Sequence, residues 1–236
     1  MNSSTLPPWH YDESVPTGVD YRNAQRVAEY DARHGRFRSF ETEARAMLAD
    51  LRVGAGACII DIGAGTGAFA VPAALSGARV YAVDVSPAMR QCLGEKARAA
   101  GATTLTVCAG GFLTYEHQGP PADAVVSVAT LHHLPDLWKQ IALLRVAGML
   151  RSNGRLLLAD VALGDDAWPP LPALESWVAS IGAATGAPDE AETHLRDEFS
   201  TFGWVLSGMI ERAGFRLDRV ATEGNLFMRW LATRRE

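Results

Sequence analysis

Three groups of residues in this 236-residue chain have types and spacings suited to chemistry. The first is Asp61, followed by Gly63, Ala64, Gly65, Thr66 and Gly67, where an apolar run meets a glycine loop. Glycines allow positive φ and let a ligand approach the backbone, and the spacing satisfies the loose G-x-G-x-x-G/A pattern of nucleotide-binding turns. Asp61 changes what the loop can hold. A carboxylate two residues before the first glycine repels a pyrophosphate resting on a helix N-terminus, so the expected ligand is a nucleoside without phosphates that carries positive charge. That disfavours a nicotinamide dinucleotide. The second group is Asp84, at the end of the next apolar run, where a carboxylate about twenty residues after the loop accepts hydrogen bonds from both ribose hydroxyls. The third is the pair His132-His133. An imidazole titrates near neutrality and can take a proton from a nucleophile. Adjacent in sequence, the two rings are expected to face different ways, so the two are not expected on one pocket. Neither has a His, Cys or carboxylate at metal-ligand spacing, so no metal is expected.

The elements that must hold these groups alternate. Short apolar runs at 57–62, 79–84, 103–109, 123–129 and 154–161 read as strands, and 67–76, 87–100 and 136–150 read as helices. Continuous apolar strands between helices indicate a parallel sheet covered on both faces. Such a doubly wound α/β sheet binds ligands beyond the carboxyl ends of its strands. Ser86 and Pro87 suit the N-cap and first position of the second helix. After Asp160 the alternation stops. Residues 164–172 read as a loop, and 173–185, 188–198 and 202–213 as helices, the last ended by Gly214. The runs 215–222 and 226–233, joined by Glu223-Gly224-Asn225, predict a C-terminal antiparallel hairpin. Ahead of the sheet, 1–19 form an irregular arm and Asp20–Arg33 and Ser39–Leu51 two helices. The domain reading is thus an arm and helical lid over 1–52, and an α/β domain over 53–236 with a helical insertion at about 164–200.

Four stretches, in order, resemble the class I S-adenosylmethionine-dependent methyltransferases. Asp61-Ile62-Gly63-Ala64-Gly65-Thr66-Gly67 matches the D-x-G-x-G-x-G motif, and Val80–Ser86 matches the second strand with its acidic end. Asp123–Asp136 is similar to the fourth strand and its loop, and Leu150–Leu156 to the turn into the fifth. The resemblance implies a Rossmann-like seven-stranded sheet of order 3-2-1-4-5-7-6 and S-adenosyl-L-methionine as cofactor. It places Asp61 toward the methionine ammonium, Gly63, Ala64, Gly65 and Gly67 along the methionine portion, and Asp84 on the ribose. Val85 and Met89 pack on adenine, Gly111 and Phe112 meet its edge, and Ala129 and Thr130 lie near the sulfonium. Outside this core, 112–117, 192–215 and the aromatic arm are similar to a subgroup of small bacterial and archaeal members. The same fold also suggests an alternative in which S-adenosylmethionine is itself the substrate, cyclised to azetidine-2-carboxylate with release of methylthioadenosine.

The remaining concentrations are aromatic. Tyr11, Tyr21 and Tyr30 can close over a sulfonium by cation–π attraction, with Arg38 pairing a carboxylate. In 190–204, Phe199 and Trp204 are candidates to enclose substrate, while Arg196 and Glu198 read as a solvent-facing pair. Cys58, Cys92 and Cys108 are expected to be small hydrophobes in a reducing compartment. Net charge is −5 with no basic run, which argues against nucleic acid. The first residues lack a secretory pattern and no apolar stretch is long enough to span a bilayer, so a cytoplasmic enzyme acting on a small molecule, with no membrane partner, is expected.

Overall fold

In the computed structural model, residues 7–35, 39–185, 187–223 and 226–236 are described. Two helices, α1 (Ala24–His34) and α2 (Phe40–Leu51), precede the sheet. β1 (Cys58–Ile62), α3 (Ala70–Leu75), β2 (Arg79–Asp84), α4 (Pro87–Ala100), β3 (Leu105–Ala109), β4 (Ala122–Val128), α5 (Asp136–Met149) and β5 (Leu150–Leu163) follow in alternation. Then come α6 (Pro170–Thr185), α7 (Pro188–Asp197), β6 (Thr201–Phe202), α8 (Gly203–Arg212), β7 (Phe215–Thr222) and β8 (Phe227–Arg234). The strand order is β3-β2-β1-β4-β5-β8-β7, with β6 pairing β5 off this path. Setting the two-residue β6 aside, this is the expected order. β1 to β5 run parallel, and β8 enters antiparallel between β5 and β7.

Successive strand side chains point to opposite faces, and each face has its own core. Ile60, Ile62, Val125, Leu156 and Leu158 pack with Ala142, Leu143 and Val146 of α5 and Leu206 and Ile210 of α8. Ile59, Val80, Ala82, Val126 and Leu157 pack with Met47 and Leu51 of α2, Ala70 and Ala73 of α3, and Leu93 of α4. Both faces being covered explains why the strands are apolar throughout rather than alternating. Ser86 caps α4 by accepting from Met89 N at 3.2 Å, with Pro87 at the first position, as expected.

Several boundaries differ from the expected ones for physical reasons. α1 begins at Ala24 rather than Asp20, because Asn23 Oδ1 accepts from Gln25 N and Arg26 N, at 2.9 and 3.3 Å, and so caps the helix there. α3 begins at Ala70 rather than 67, because Gly65 and Gly67 hold positive φ of 54° and 89° and extend the turn. β6 is too short to show a period in the sequence. The expected hairpin forms, although Gly224 and Asn225 of its turn lie outside the described residues. Cys58 is buried, whereas Cys92 and Cys108 are only half-buried. Among the described residues no helix is long and apolar enough to cross a membrane.

Candidate functional site

The carboxyl ends of β1, β2, β4 and β5 open into a cavity of about 620 Å³. Its floor is the sheet end: Ile62, Gly63, Gly65, Asp84, Val85, Val128, Ala129 and Thr130. Its roof comes from elsewhere in the chain. Glu13 to Thr17, Val19, Tyr21 and Tyr30 cover one side, and Trp177, Ile181, His194 and Glu198 of the α6–α7 region cover another.

The glycine loop and Asp84 are built together. Asp84 Oδ2 accepts from Gly65 N and Oδ1 from Ser86 N, both at 2.8 Å. An ionised carboxylate has about four acceptor positions, so each oxygen keeps capacity for a ligand hydroxyl. Burial raises the Asp84 carboxyl above the usual range, and the N–H groups of Ser86 and Gly65 with the nearby Arg90 oppose that. A Cβ on Gly65 would point into open space, while one on Gly63, whose φ is 75°, would overlap Thr130. Ala129 at the end of β4 holds φ of 51°, an uncommon conformation for a residue with a side chain. Its N–H donates to Ala159 O at 2.8 Å, which fixes the bend that brings Ala129 and Thr130 to the cavity.

Asp61 is 3% exposed and is not on the cavity wall. It shares the strand face of Ile59 and sits beneath the loop. Its carboxyl makes no hydrogen bond among the described residues; burial first, and the Asp84 charge second, push it up to about 8. Ala64 packs into the core, and Gly67 fits closely against Val71 and Leu93, so these two shape the loop without lining the cavity. Met89, Gly111 and Phe112 line it as expected, Phe112 also packing in the core.

The histidines behave differently from the expectation. Both line the cavity, with ring centroids 4.3 Å apart, because the 3-10 turn Leu131–His133 curls the chain between them. His132 is buried between two carboxylates: Nδ1 lies 2.5 Å from Asp160 Oδ1, and Nε2 lies 3.2 Å from Glu198 Oε2. Burial alone lowers its pKa, but the charges and hydrogen bonds of Asp160 and Glu198 outweigh this and raise it to about 9. His133 has no carboxylate in contact. Burial and the neighbouring His132 lower it to about 4, and its ring nitrogens have no hydrogen-bond partner among the described residues. His132 is therefore an imidazolium held in place, and His133 a neutral acceptor.

Glu198 does not face solvent, contrary to the sequence reading. It is 9% exposed and pairs with His194 as well as His132, while Oε1 accepts from Val19 N at 3.3 Å. These ion pairs hold its carboxyl well below the usual range despite burial. Arg196 is exposed and pairs with Asp197. His132, His194 and Glu198 thus gather although His132 lies far from the other two in sequence, so the expectation that no ligating group accompanies His132 fails in three dimensions. Sequence reasoning also misses Asp160; it is a lone charge inside the apolar run Leu156–Leu163 of β5, and that interruption is the available signal.

The aromatic candidates divide. Tyr21 and Tyr30 line the cavity, with ring centroids 5.7 Å apart. Tyr11 does not; its hydroxyl donates to His133 O at 3.1 Å, and its ring meets Phe199 edge-on. Phe199 also stands behind the wall, its N–H donating to His132 O at 2.8 Å. Trp204 is 63% exposed. α8 turns Gly203, Leu206 and Ile210 inward, which leaves Trp204 outside, stacked on Phe202. Arg38 lies outside the described residues. The arm is fastened by residues the sequence did not single out. Glu13 accepts from Leu113 N, Thr114 N and Thr114 Oγ1 at 3.0, 2.8 and 2.6 Å, and Asp31 pairs with Lys96 and accepts from Thr66 Oγ1 of the glycine loop at 2.5 Å.

Comparison with known proteins agrees with this layout. Residues 59–154 match the family model of a methyltransferase domain. An uncharacterized methyltransferase of Geobacillus thermodenitrificans is 27% identical over 207 residues, covering 87% of this chain and 83% of its own. One from Bacillus cereus strain ATCC 10987 is 29% identical over 160 residues, 67% of this chain and 69% of its own. Among solved structures, YcgJ from Bacillus subtilis superposes with a TM-score of 0.64 at 15% identity, over 83% of this chain and 99% of its own. Magnesium protoporphyrin IX methyltransferase from Synechocystis, solved with bound S-adenosylhomocysteine, gives 0.61 at 18% identity, over 94% and 91%.

Proposed function

We propose that the chain, whose residues 59–154 match a methyltransferase-domain model, is a class I S-adenosylmethionine-dependent methyltransferase that transfers the methyl group to a small molecule enclosed in the cavity. The observation that carries this reading is the joined glycine loop and Asp84 at the floor of a covered cavity of about 620 Å³, within the range that encloses small ligands. A protein or nucleic-acid acceptor would need an open groove, and the roof over this one argues for a small acceptor.

The residues present suit the cofactor. Asp84 keeps acceptor capacity for two vicinal hydroxyls, Val85, Met89 and Phe112 offer apolar surface to a base, and Gly65 leaves open space where a side chain would intrude. Asp61 lies beneath the loop and off the cavity wall. The cation of a bound cofactor would favour its ionised form, so the role assigned to it is charge at a distance rather than contact. When bound, S-adenosylmethionine supplies a methyl already activated by a sulfonium, so the protein mainly sets approach and excludes water. Ala129 and Thr130 present a small surface at the bend after β4, and Tyr21 and Tyr30 suit the side of a cation. His133 can accept a hydrogen bond from an acceptor N–H or O–H. His132, protonated and held at both nitrogens, orients the wall and cannot act as a base.

The test is mass spectrometry of incubations with methyl-labelled S-adenosylmethionine and a panel of small hydroxyl, amine and carbon nucleophiles. Labelled product with stoichiometric S-adenosylhomocysteine supports the reading. Methylthioadenosine formed from the cofactor alone would replace it with intramolecular displacement.

A further inference from the structure

The fold converges three nitrogen and oxygen donors for which methyl transfer from a sulfonium has no use. We propose that His132, His194 and Glu198 form a binding site for one divalent transition-metal ion, with the remaining coordination position open to the cavity. One ligand atom from each residue lies within 4.8 Å of the other two, and His132 Nε2 to Glu198 Oε2 is 3.2 Å. Donors bound about 2.0–2.2 Å from a tetrahedral ion are separated by roughly that distance. Two imidazoles and one carboxylate, with a free position, make up the ligand set of catalytic zinc and related sites.

The outer contacts are those that metal-binding histidines have. A ligating imidazole usually donates its second N–H to a carboxylate or other acceptor, which fixes the tautomer and the ring. His132 has Asp160 on Nδ1, at 2.5 Å, and His194 has Ser200 Oγ on Nε2, at 2.7 Å. The inner nitrogens, His132 Nε2 and His194 Nδ1, both reach the same oxygen, Glu198 Oε2. Asp160 also accepts from His132 N at 3.2 Å and Val161 N at 2.7 Å, so the support beneath His132 is rigid.

The position and charge fit as well. All three donors line the cavity, with the His194 ring 5.3 Å from that of Trp177. Asp160 and Glu198 are two buried carboxylates. Metal binding would displace the proton that His132 Nε2 holds in the free protein and release it to solvent. With both ligating imidazoles then neutral, a divalent cation cancels the charge of the two carboxylates. Buried charge is costly unless paired in this way.

This inference deepens the function proposed above, and in that setting it rests on it: an acceptor with a hydroxyl oxygen would complete the coordination. An ion lowers the pKa of a bound hydroxyl, so the acceptor could bind as its oxyanion, its proton released to bulk solvent on binding, and no protein base would be needed. That supplies what the held His132 does not.

The site itself is testable without turnover. Chelator-treated full-length protein is titrated with Co²⁺ and followed by visible absorption. The expected result is one equivalent bound with the d–d bands of a four- or five-coordinate ion, displaced by Zn²⁺. His194→Ala and Glu198→Gln should abolish the bands while circular dichroism shows the native fold. Ser200→Ala, which spares all three donors, should weaken binding on the order of tenfold. Absence of bands in the wild type, or bands retained in both ligand variants, overturns the site. If a ligand variant fails to fold, unchanged affinity in Ser200→Ala overturns it instead. Because nothing here depends on an acceptor, a negative result leaves the methyltransferase reading standing.

Discussion

Replacing Asp61 by asparagine should stabilise the protein at alkaline pH. The carboxyl is buried, makes no hydrogen bond among the described residues and faces the Asp84 charge, and these push it from 3.8 up to about 8. A folded-state value above the unfolded one means that the folded state binds the proton more tightly. The resulting stability is complete below the unfolded value, near pH 4, and is lost as pH rises toward 8. At roughly 1.4 kcal/mol per pH unit, the span from 3.8 to about 8 corresponds to about 6 kcal/mol. An asparagine side chain here has the same shape and no charge to desolvate, so the variant avoids this loss. The wild type and Asp61→Asn should unfold alike near pH 4. At pH 8 the variant should melt about 10 °C or more higher, given about 2–4 °C per kcal/mol for a domain of this size. Denaturant titrations of both proteins at pH 4, 6 and 8, without ligand, measure the difference directly. A gap that does not grow with pH would refute the claim that Asp61 is a desolvated acid. The same variant should bind S-adenosylmethionine more weakly, because its positive end would lose the carboxylate assigned to it. Stability and function would then oppose each other at one residue.

Asp84→Ala should weaken S-adenosylmethionine binding at least tenfold by calorimetry, and should lower stability by about 1–3 kcal/mol because Gly65 N and Ser86 N lose their acceptor; unchanged affinity would remove Asp84 from the site. Deleting residues 1–19 should leave a cooperatively melting protein but reduce turnover, since Glu13 and the cover it anchors are lost; full activity in the truncated protein would make the arm a tail. His133→Ala should lower kcat by less than about tenfold, because a group held near 4 is a weak base at neutral pH. A loss of several orders of magnitude in that variant would show His133 removing the acceptor proton.

The sheet was legible because its signals are local. The apolar runs, the acidic ends of β1 and β2, and the Ser86-Pro87 start of α4 each depend on neighbouring residues, and the structure places them as read. The D-x-G-x-G-x-G stretch pointed to the cavity floor for the same reason. What failed was nonlocal or depended on which face an element presents. Trp204 and Phe199 have the composition of a binding wall, but the inward stripe of α8 and the backbone tie to His132 put both elsewhere. Glu198 resembled a solvated charge next to Arg196, and only the return of α7 over β5 shows that it meets His132. Opposite orientation of His132 and His133 is a strand argument, and a 3-10 turn is not a strand.

The cavity's floor and roof are made from different kinds of chain, and they have different freedom to evolve. The floor belongs to strands whose neighbours are fully buried, so a change at Gly63 or Val128 disturbs the sheet end itself. α6 contributes Trp177 and Ile181 to the roof, yet no residue of that helix is fully buried. Substitutions along α6 and at Val15 or Thr17 therefore cost the folded state little. Descendants of this chain can exchange one acceptor for another by drifting in these segments, while the apparatus beneath stays fixed, and a mutational library restricted to them would sample new acceptors without first requiring a more stable parent.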